Sequence, residues 1–249
     1  MNILLILELI HLDLCILIFK QYPGSMSSFQ KQKYLVIKNI ISKDTALILF
    51  NYLRLKQHVW NTMKKTNYPG ANYEMGGFDK QVNDTWGCYS DLAMETLLEM
   101  LRPIIEKEAN IKLVPMYSYT RLYKKGDILE KHKDRPSCEI STTLNLGGDP
   151  WSIFIEPNKN IGKIKNKKYY PGSTKGTEIK LDPGDLLLYL GVDCEHWREK
   201  FKGEICAQVF LHYSKLNTKY AKDYVYDSRP HLGLPLSFMN KPVKRKGYV

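Results

Sequence analysis

The sequence predicts an α+β chain in which helices come first and an antiparallel barrel or sandwich follows. Two stretches of helical periodicity precede Lys112, and short apolar or alternating runs broken by Gly, Pro and Asp turn signals fill Tyr117 to Tyr213. Aromatic residues make up 12% of the chain, led by 17 Tyr, which suits strands better than a helical bundle. With 249 residues and 43% hydrophobic content, the chain has enough material for a sizeable core.

In chain order, the stretch Leu4 to Phe19 is apolar but interrupted by Glu8, His11 and Asp13. It falls short of the roughly 20 apolar residues of a membrane span, and no basic segment precedes it as a secretory signal requires. Residues 1–25 are therefore read as an upstream extension with translation starting at Met26, an anchor being the alternative. A membrane is not an expected partner unless they are one. Residues 26–249 are expected to form one domain, with its core at about 110–215. Tyr34 to Ile37 reads as a strand, and Ser42 caps a helix running to about Leu55. Tyr68 to Thr85 reads as a long loop over a site. Ser90 or Asp91 caps a second helix whose Leu97, Leu98, Leu101, Ile104 and Ile105 fall on one face, with Pro103 inside it. Strands follow at Glu139–Leu146, Trp151–Glu156, Leu186–Leu190 and Ile205–Tyr213. Asn158 to Thr177, rich in Lys, Gly and Asn, reads as an exposed loop.

The five Cys are odd in number, widely spaced and without a C-x-x-C pair, which points to reduced thiols and a cytoplasmic protein. The 37 basic against 26 acidic residues give +11. That balance favours nucleic acid, an acidic protein or a small dicarboxylate as partner, unless it is simply a solvated surface.

The chemistry concentrates in Tyr117 to Asp134. Tyr117, Tyr119, Arg121 and Tyr123 alternate onto one strand face, a turn follows at Lys124 to Asp127, and the segment ends in His132-Lys133-Asp134. In an extended segment residues two apart point the same way, so His132 and Asp134 can close on one metal ion. His196, behind a Pro-Gly-Asp turn and an apolar strand, is the candidate third ligand. Two imidazoles and one carboxylate leave three octahedral positions open, an arrangement suited to Fe(II). His212 reads as core or as support to the site. His58 and His231 have bland contexts.

Tyr123-x-x-Gly126, His132-x-Asp134, Thr142-Thr143-Leu144-Asn145, Asp182-Pro183-Gly184-Asp185 and His196 together resemble the 2-oxoglutarate- and Fe(II)-dependent oxygenases, and within them the prolyl 4-hydroxylase-like branch. The resemblance covers roughly Tyr117 to Tyr213. It implies a double-stranded β-helix (jelly-roll, cupin-like) core with the N-terminal helices packed outside. It implies His132, Asp134 and His196 as iron ligands, with 2-oxoglutarate as co-substrate and O₂ consumed. Tyr123 and Thr143 would lie near the co-substrate. A hydroxylase acting on a peptidyl, amino-acid or other small-molecule substrate is the expected activity. The alternatives are a nucleic-acid demethylase, using loop aromatics such as Tyr68, Tyr73, Phe78 and Trp86, and a basic β-barrel binding module with a degenerate metal site.

The sequence departs from the pattern at one place. Where the family usually has an Arg or Lys to pair with the far carboxylate of 2-oxoglutarate, this chain has Cys206. A buried carboxylate without a partner is costly. Arg121, on the face of Tyr123, is the first candidate to replace the cation. Arg198 and Lys202 are alternatives, and Gln208 could add a neutral hydrogen bond.

Overall fold

The computed structural model describes residues 27–68, 74–166 and 168–239. The 1–25 stretch and Tyr73 lie outside the described residues. A capping box at Ser27 starts a short helix α1 (Ser28–Gln32), which leads into β1 (Tyr34–Ile37). The helix α2 spans Lys43–Lys65, nearly three turns beyond the expected end near Leu55. The Ser42 hydroxyl accepts from the Thr45 N–H at its start. The sequence reading stopped early because the second half is polar, yet Trp60 is buried there against the core.

After the hairpin β2 (Gly77–Phe78) and β3 (Trp86–Tyr89), Asp91 caps α3 (Leu92–Ala109) by accepting from the N–H groups of Ala93 and Met94. Pro103 lies within α3 without ending it. Of the predicted stripe, Leu97, Leu98, Leu101 and Ile105 are buried and Ile104 is exposed. Fully burying such a side chain is worth about 1.5–3 kcal/mol. The Asp91 carboxylate also takes the Lys56 ammonium at 2.5 Å and the Tyr52 hydroxyl at 2.7 Å, which ties α2 to the start of α3.

The strands follow as β4 (Leu113–Lys124), β5 (Leu129–His132), β6 (Ile140–Gly148), β7 (Ile153–Glu156), β8 (Lys163–Lys165), β9 (Lys168–Tyr170), β10 (Thr177–Ile179), β11 (Leu186–Leu190), β12 (Glu195–Arg198) and β13 (Ile205–Lys215). Between β4 and β5, Gly126 turns the chain at φ +92°, open to any side chain in space but strained for one with a Cβ. One antiparallel sheet has the order β1-β11-β6-β13-β4-β3-β2 and a second β10-β7-β12-β5. This is the expected double-stranded β-helix, with helices packed on the outer face of the larger sheet. Leu144, Leu186, Leu188, Val209 and Leu211 point outward into one core with Leu53, Trp60, Leu98 and Ile105. The alternate residues of β4, β6, β11 and β13 face the space between the sheets.

Residues 157–176 are more than the expected exposed loop, since they contain the β8–β9 ribbon. Beyond β13, a short α4 (Lys219–Tyr224) leads into a segment pinned across the mouth of the barrel. Arg229 is fully buried and donates to Glu95 Oε1 at 2.8 Å, and to the carbonyls of Met116 and Leu234. No helix among the described residues is long and apolar enough to cross a membrane. Removing one partner of a buried ion pair strands the other charge, at about 3–5 kcal/mol. Glu95→Ala should therefore destabilise the protein by about that amount in urea unfolding, whereas exchanging the exposed Glu99, paired with Arg102, should cost less than about 1 kcal/mol.

Candidate metal centre and its cavity

The three expected ligands meet on the inner face of the smaller sheet. β5 and β12 pair antiparallel with His132 directly opposite His196. Their ring centroids lie 4.2 Å apart. Asp134 follows β5, held by its N–H to the Gly191 carbonyl at 2.9 Å. Its Oδ1 is 3.6 Å from His132 Nε2 and 3.5 Å from His196 Nε2. One donor atom from each residue lies within 4.8 Å of the others, close enough for a single ion to reach all three.

Hydrogen bonds aim these donors. His132 Nδ1 lies 2.7 Å from the Glu130 carbonyl and His196 Nδ1 3.1 Å from the Cys194 carbonyl. A carbonyl only accepts, so each Nδ1 carries the hydrogen and each Nε2 keeps a lone pair toward Asp134. Gln81 Nε2 at 3.1 Å and the Tyr189 hydroxyl at 3.3 Å donate to those two Nε2 atoms. The second oxygen of Asp134 accepts from Ser141 Oγ at 2.5 Å. Ser141 has one hydrogen to give, so His212, at 3.1 Å, donates its Nδ1–H to the serine oxygen. A Cβ at Gly191 would stand 2.5 Å from both Asp134 Oδ2 and Ser141 Oγ, so this glycine makes room for their contact.

Burial, reinforced by the neighbouring His196, lowers His132 to about 4. Burial alone would raise Asp134, but the adjacent imidazoles outweigh it and hold the carboxyl well below the usual range. Desolvation lowers His212 to about 4. At neutral pH His132 is thus a neutral imidazole and Asp134 a carboxylate, the protonation states that binding a divalent cation requires of them.

A cavity of about 370 Å³ opens over this trio, walled by residues that include Tyr117, Tyr119, Arg121, Tyr123, Arg135 and His212. Arg121 and Tyr123 are on its wall as the strand alternation predicts. The Arg121 guanidinium is already engaged by the Asp79 carboxylate, and donates to Gln81 Oε1 at 3.1 Å. Deeper in the barrel, Arg198 is buried beneath Trp151, donates to the Trp151 carbonyl, and reaches Thr143 Oγ1 at 3.4 Å. Thr143 in turn donates to Gln208 Oε1 at 2.9 Å. Among the described residues Arg198 forms no ion pair, and its Nε, Arg121 Nε and the Tyr123 hydroxyl are buried without a hydrogen-bond partner. Lys202 stands exposed on the turn before β13. Sequence reasoning did not find Asp79 and Gln81, which come from the loop, or Ser141, though Ser141 is two residues from Thr143 and shares its face.

No protein-family model matches the sequence, and no curated protein is similar enough in sequence to serve as a relative. Solved structures do match. A prolyl-4-hydroxylase of Pseudomonas putida superposes with a TM-score of 0.50 at 14% identity, covering 74% of this chain and 94% of that one. The epimerase SnoN from nogalamycin biosynthesis, α-ketoglutarate dependent and non-heme, gives 0.54 at 10% identity over 79% and 86%. HygX from Streptomyces hygroscopicus, solved with nickel, 2-oxoglutarate and hygromycin B, gives 0.53 at 14% identity over 76% and 85%. The fold is that of the 2-oxoglutarate- and Fe(II)-dependent oxygenases. Identities this low speak for the fold, and the chemistry of this chain rests on its own residues.

The low value of His212 sets a pH dependence. Below about pH 6.5 the unfolded chain takes up a proton at this imidazole, while the folded one does not until about 4. Stability of the metal-free protein should fall across that window, by at most about 3 kcal/mol from His212. His132 adds to the same trend less strongly, because its side chain is 22% exposed. Urea unfolding at pH 7.5 and 5 measures this, and His212→Gln should flatten the profile.

Proposed function

We propose that this chain is an Fe(II)- and 2-oxoglutarate-dependent dioxygenase that hydroxylates a C–H bond of a peptidyl, amino-acid or other small-molecule substrate. The observation that carries the reading is the conjunction, in one barrel, of a complete two-His, one-carboxylate donor set and a buried guanidinium, that of Arg198, with no carboxylate partner among the described residues. The donors fit a divalent iron that must keep positions free for other ligands. The charges fit as well. One carboxylate against Fe(II) leaves one positive charge, Arg198 adds a second, and 2-oxoglutarate carries two negative ones. A desolvated cation of this kind costs stability unless an anion completes it.

Bound together, iron and 2-oxoglutarate would reduce O₂, with loss of CO₂ and formation of succinate, and supply the oxidant for the substrate C–H bond. The protein's part is placement. His132, Asp134 and His196 would hold the metal through Nε2, Oδ1 and Nε2. Ser141 occupies the other carboxylate oxygen of Asp134, which leaves Oδ1 for the ion. Arg198 and the Tyr123 hydroxyl would take the far carboxylate of the co-substrate, with Thr143 and Gln208 behind them. We assign the anchoring charge to Arg198 because that of Arg121 is met by Asp79. Arg121 instead orients the wall by fixing Asp79 and Gln81. Aromatic walls and buried strands keep water from the reacting atoms.

The test is Fe(II)-dependent succinate release, run with peptides, free amino acids and oligonucleotides. Absence of turnover together with absence of 2-oxoglutarate binding would favour the binding-module reading. Anaerobic titration of 2-oxoglutarate into Fe(II)-loaded protein checks the anchor. Arg198→Ala should weaken binding by roughly two to three orders of magnitude, from about 3–5 kcal/mol for a lost charged partner. Arg121→Ala should weaken it less, and Asp134→Ala should abolish iron binding while the fold persists.

A further inference from the structure

The connection between β7 and β10, residues 157–176, contains six Lys and no Asp or Glu. These 20 of 249 residues therefore supply +6 of the formal +11. Within them, β8 and β9 pair with Lys163 opposite Tyr170, Ile164 opposite Tyr169, and Lys165 opposite Lys168. Directly opposed residues share a face, and neighbours along a strand alternate. Lys163, Lys165, Lys168 and Tyr170 thus form one face of the ribbon and Ile164 with Tyr169 the other.

The second face is held at Tyr169, while its Ile164 is exposed. The Tyr169 hydroxyl and the Gly172 N–H both donate to Glu195 Oε1, at 2.7 and 2.8 Å. The first face is exposed. Like charges directly opposite each other destabilise a strand pair, and no acid relieves them here. Among the described residues Lys163, Lys165 and Lys168 form no ion pair, whereas Lys180 nearby is met by Glu178. The Lys168 ammonium instead lies 5.7 Å above the exposed Tyr170 ring.

The register also fixes where the ribbon stands. Glu156 pairs with Glu195, and Thr177 with Ile155, so the connection leaves and returns at the end of the sheet that carries His132 and His196. Lys133, on the cavity wall, donates to the carbonyls of Lys159 at 2.8 Å and Gly162 at 3.0 Å.

We propose that this ribbon face is a docking surface for single-stranded nucleic acid at the rim of the cavity. Phosphates pair with Lys163, Lys165 and Lys168, and a base stacks on Tyr170. Lysines alone fit any polyanion. The exposed ring among them selects a strand with unstacked bases, because a base offers a π-face and an acidic side chain does not. The surface lies outside the metal centre, and its occupation does not depend on the reaction proposed above.

The experiment is fluorescence anisotropy of full-length protein with a labelled single-stranded RNA oligonucleotide and its DNA counterpart, without iron or 2-oxoglutarate, over a salt series. The triple variant Lys163→Glu/Lys165→Glu/Lys168→Glu should bind at least about tenfold more weakly, and three lost phosphate contacts should lower the salt slope by about 2. Tyr170→Ala should weaken binding with little change in slope. Unchanged thermal midpoints and Co(II) spectra would show that the variants fold. Failure of wild type to bind either strand, or equal binding by the triple variant, would overturn the proposal. So would polyglutamate competing as well as the oligonucleotide while Tyr170→Ala has no effect, which would identify an acidic protein segment as the occupant.

Discussion

The pairing of β5 with β12 is the constraint from which the rest of the site follows. Both strands are short, and each contributes an imidazole at the same level of the ladder. Side chains alternate across a strand, so a slip of one residue would turn His132 or His196 out of the barrel and bring a lysine or tryptophan in. The hydrophobic pattern guards against that slip. Trp197 stacks on Phe154 on the far side of the sheet, while Ile155, opposite His196, packs inside with Leu187 and Tyr189. Asp134 needs no strand of its own, because Gly191 holds its backbone and Ser141 its carboxylate.

The interior is notable for how its charges are distributed. Arg121 has Asp79, Arg229 has Glu95, and Arg135 has Asp227 in a two-point contact at 2.7 and 2.6 Å. Arg198 departs from that pattern, and it does so on the strand that carries His196. The β13 position where the resemblance expects a cation holds Cys206, while Arg198 stands on β12 in the other sheet. Cys206 and Tyr123 sit opposite each other in register.

Much of this was legible in the sequence, for definable reasons. The double-stranded β-helix and the full ligand trio were what the resemblance to the oxygenases implied, whereas an α+β chain with a barrel or sandwich, and the shared face of His132 and Asp134, followed from period-two alternation and turn residues, which are local signals. The face shared by Tyr117, Tyr119, Arg121 and Tyr123 was readable for the same cause. The partner of Arg121 was not, because Asp79 lies in a Gly- and Asn-rich stretch without periodicity, brought to β4 by tertiary packing alone. The length of α2 was underestimated because its later turns bury little besides Trp60. The β8–β9 ribbon was hidden because its strands are three residues each and polar, held by cross-strand pairing and by Glu195.

The clamp around Arg229 has a consequence for the order in which the protein comes into being. A ribosome delivers all three candidate metal donors well before Arg229 and Leu236, the latter a part of the cavity wall. Glu95 is made earlier still, and its carboxylate, destined for a buried position, waits for a cation that arrives 134 residues later. Until then the barrel has its candidate metal donors but lacks this part of the cavity's rim. This late segment is the one that pairs with a buried acid and adds to the enclosure, so a nascent chain gains that part of its sheltered interior after the frame that surrounds it has been made.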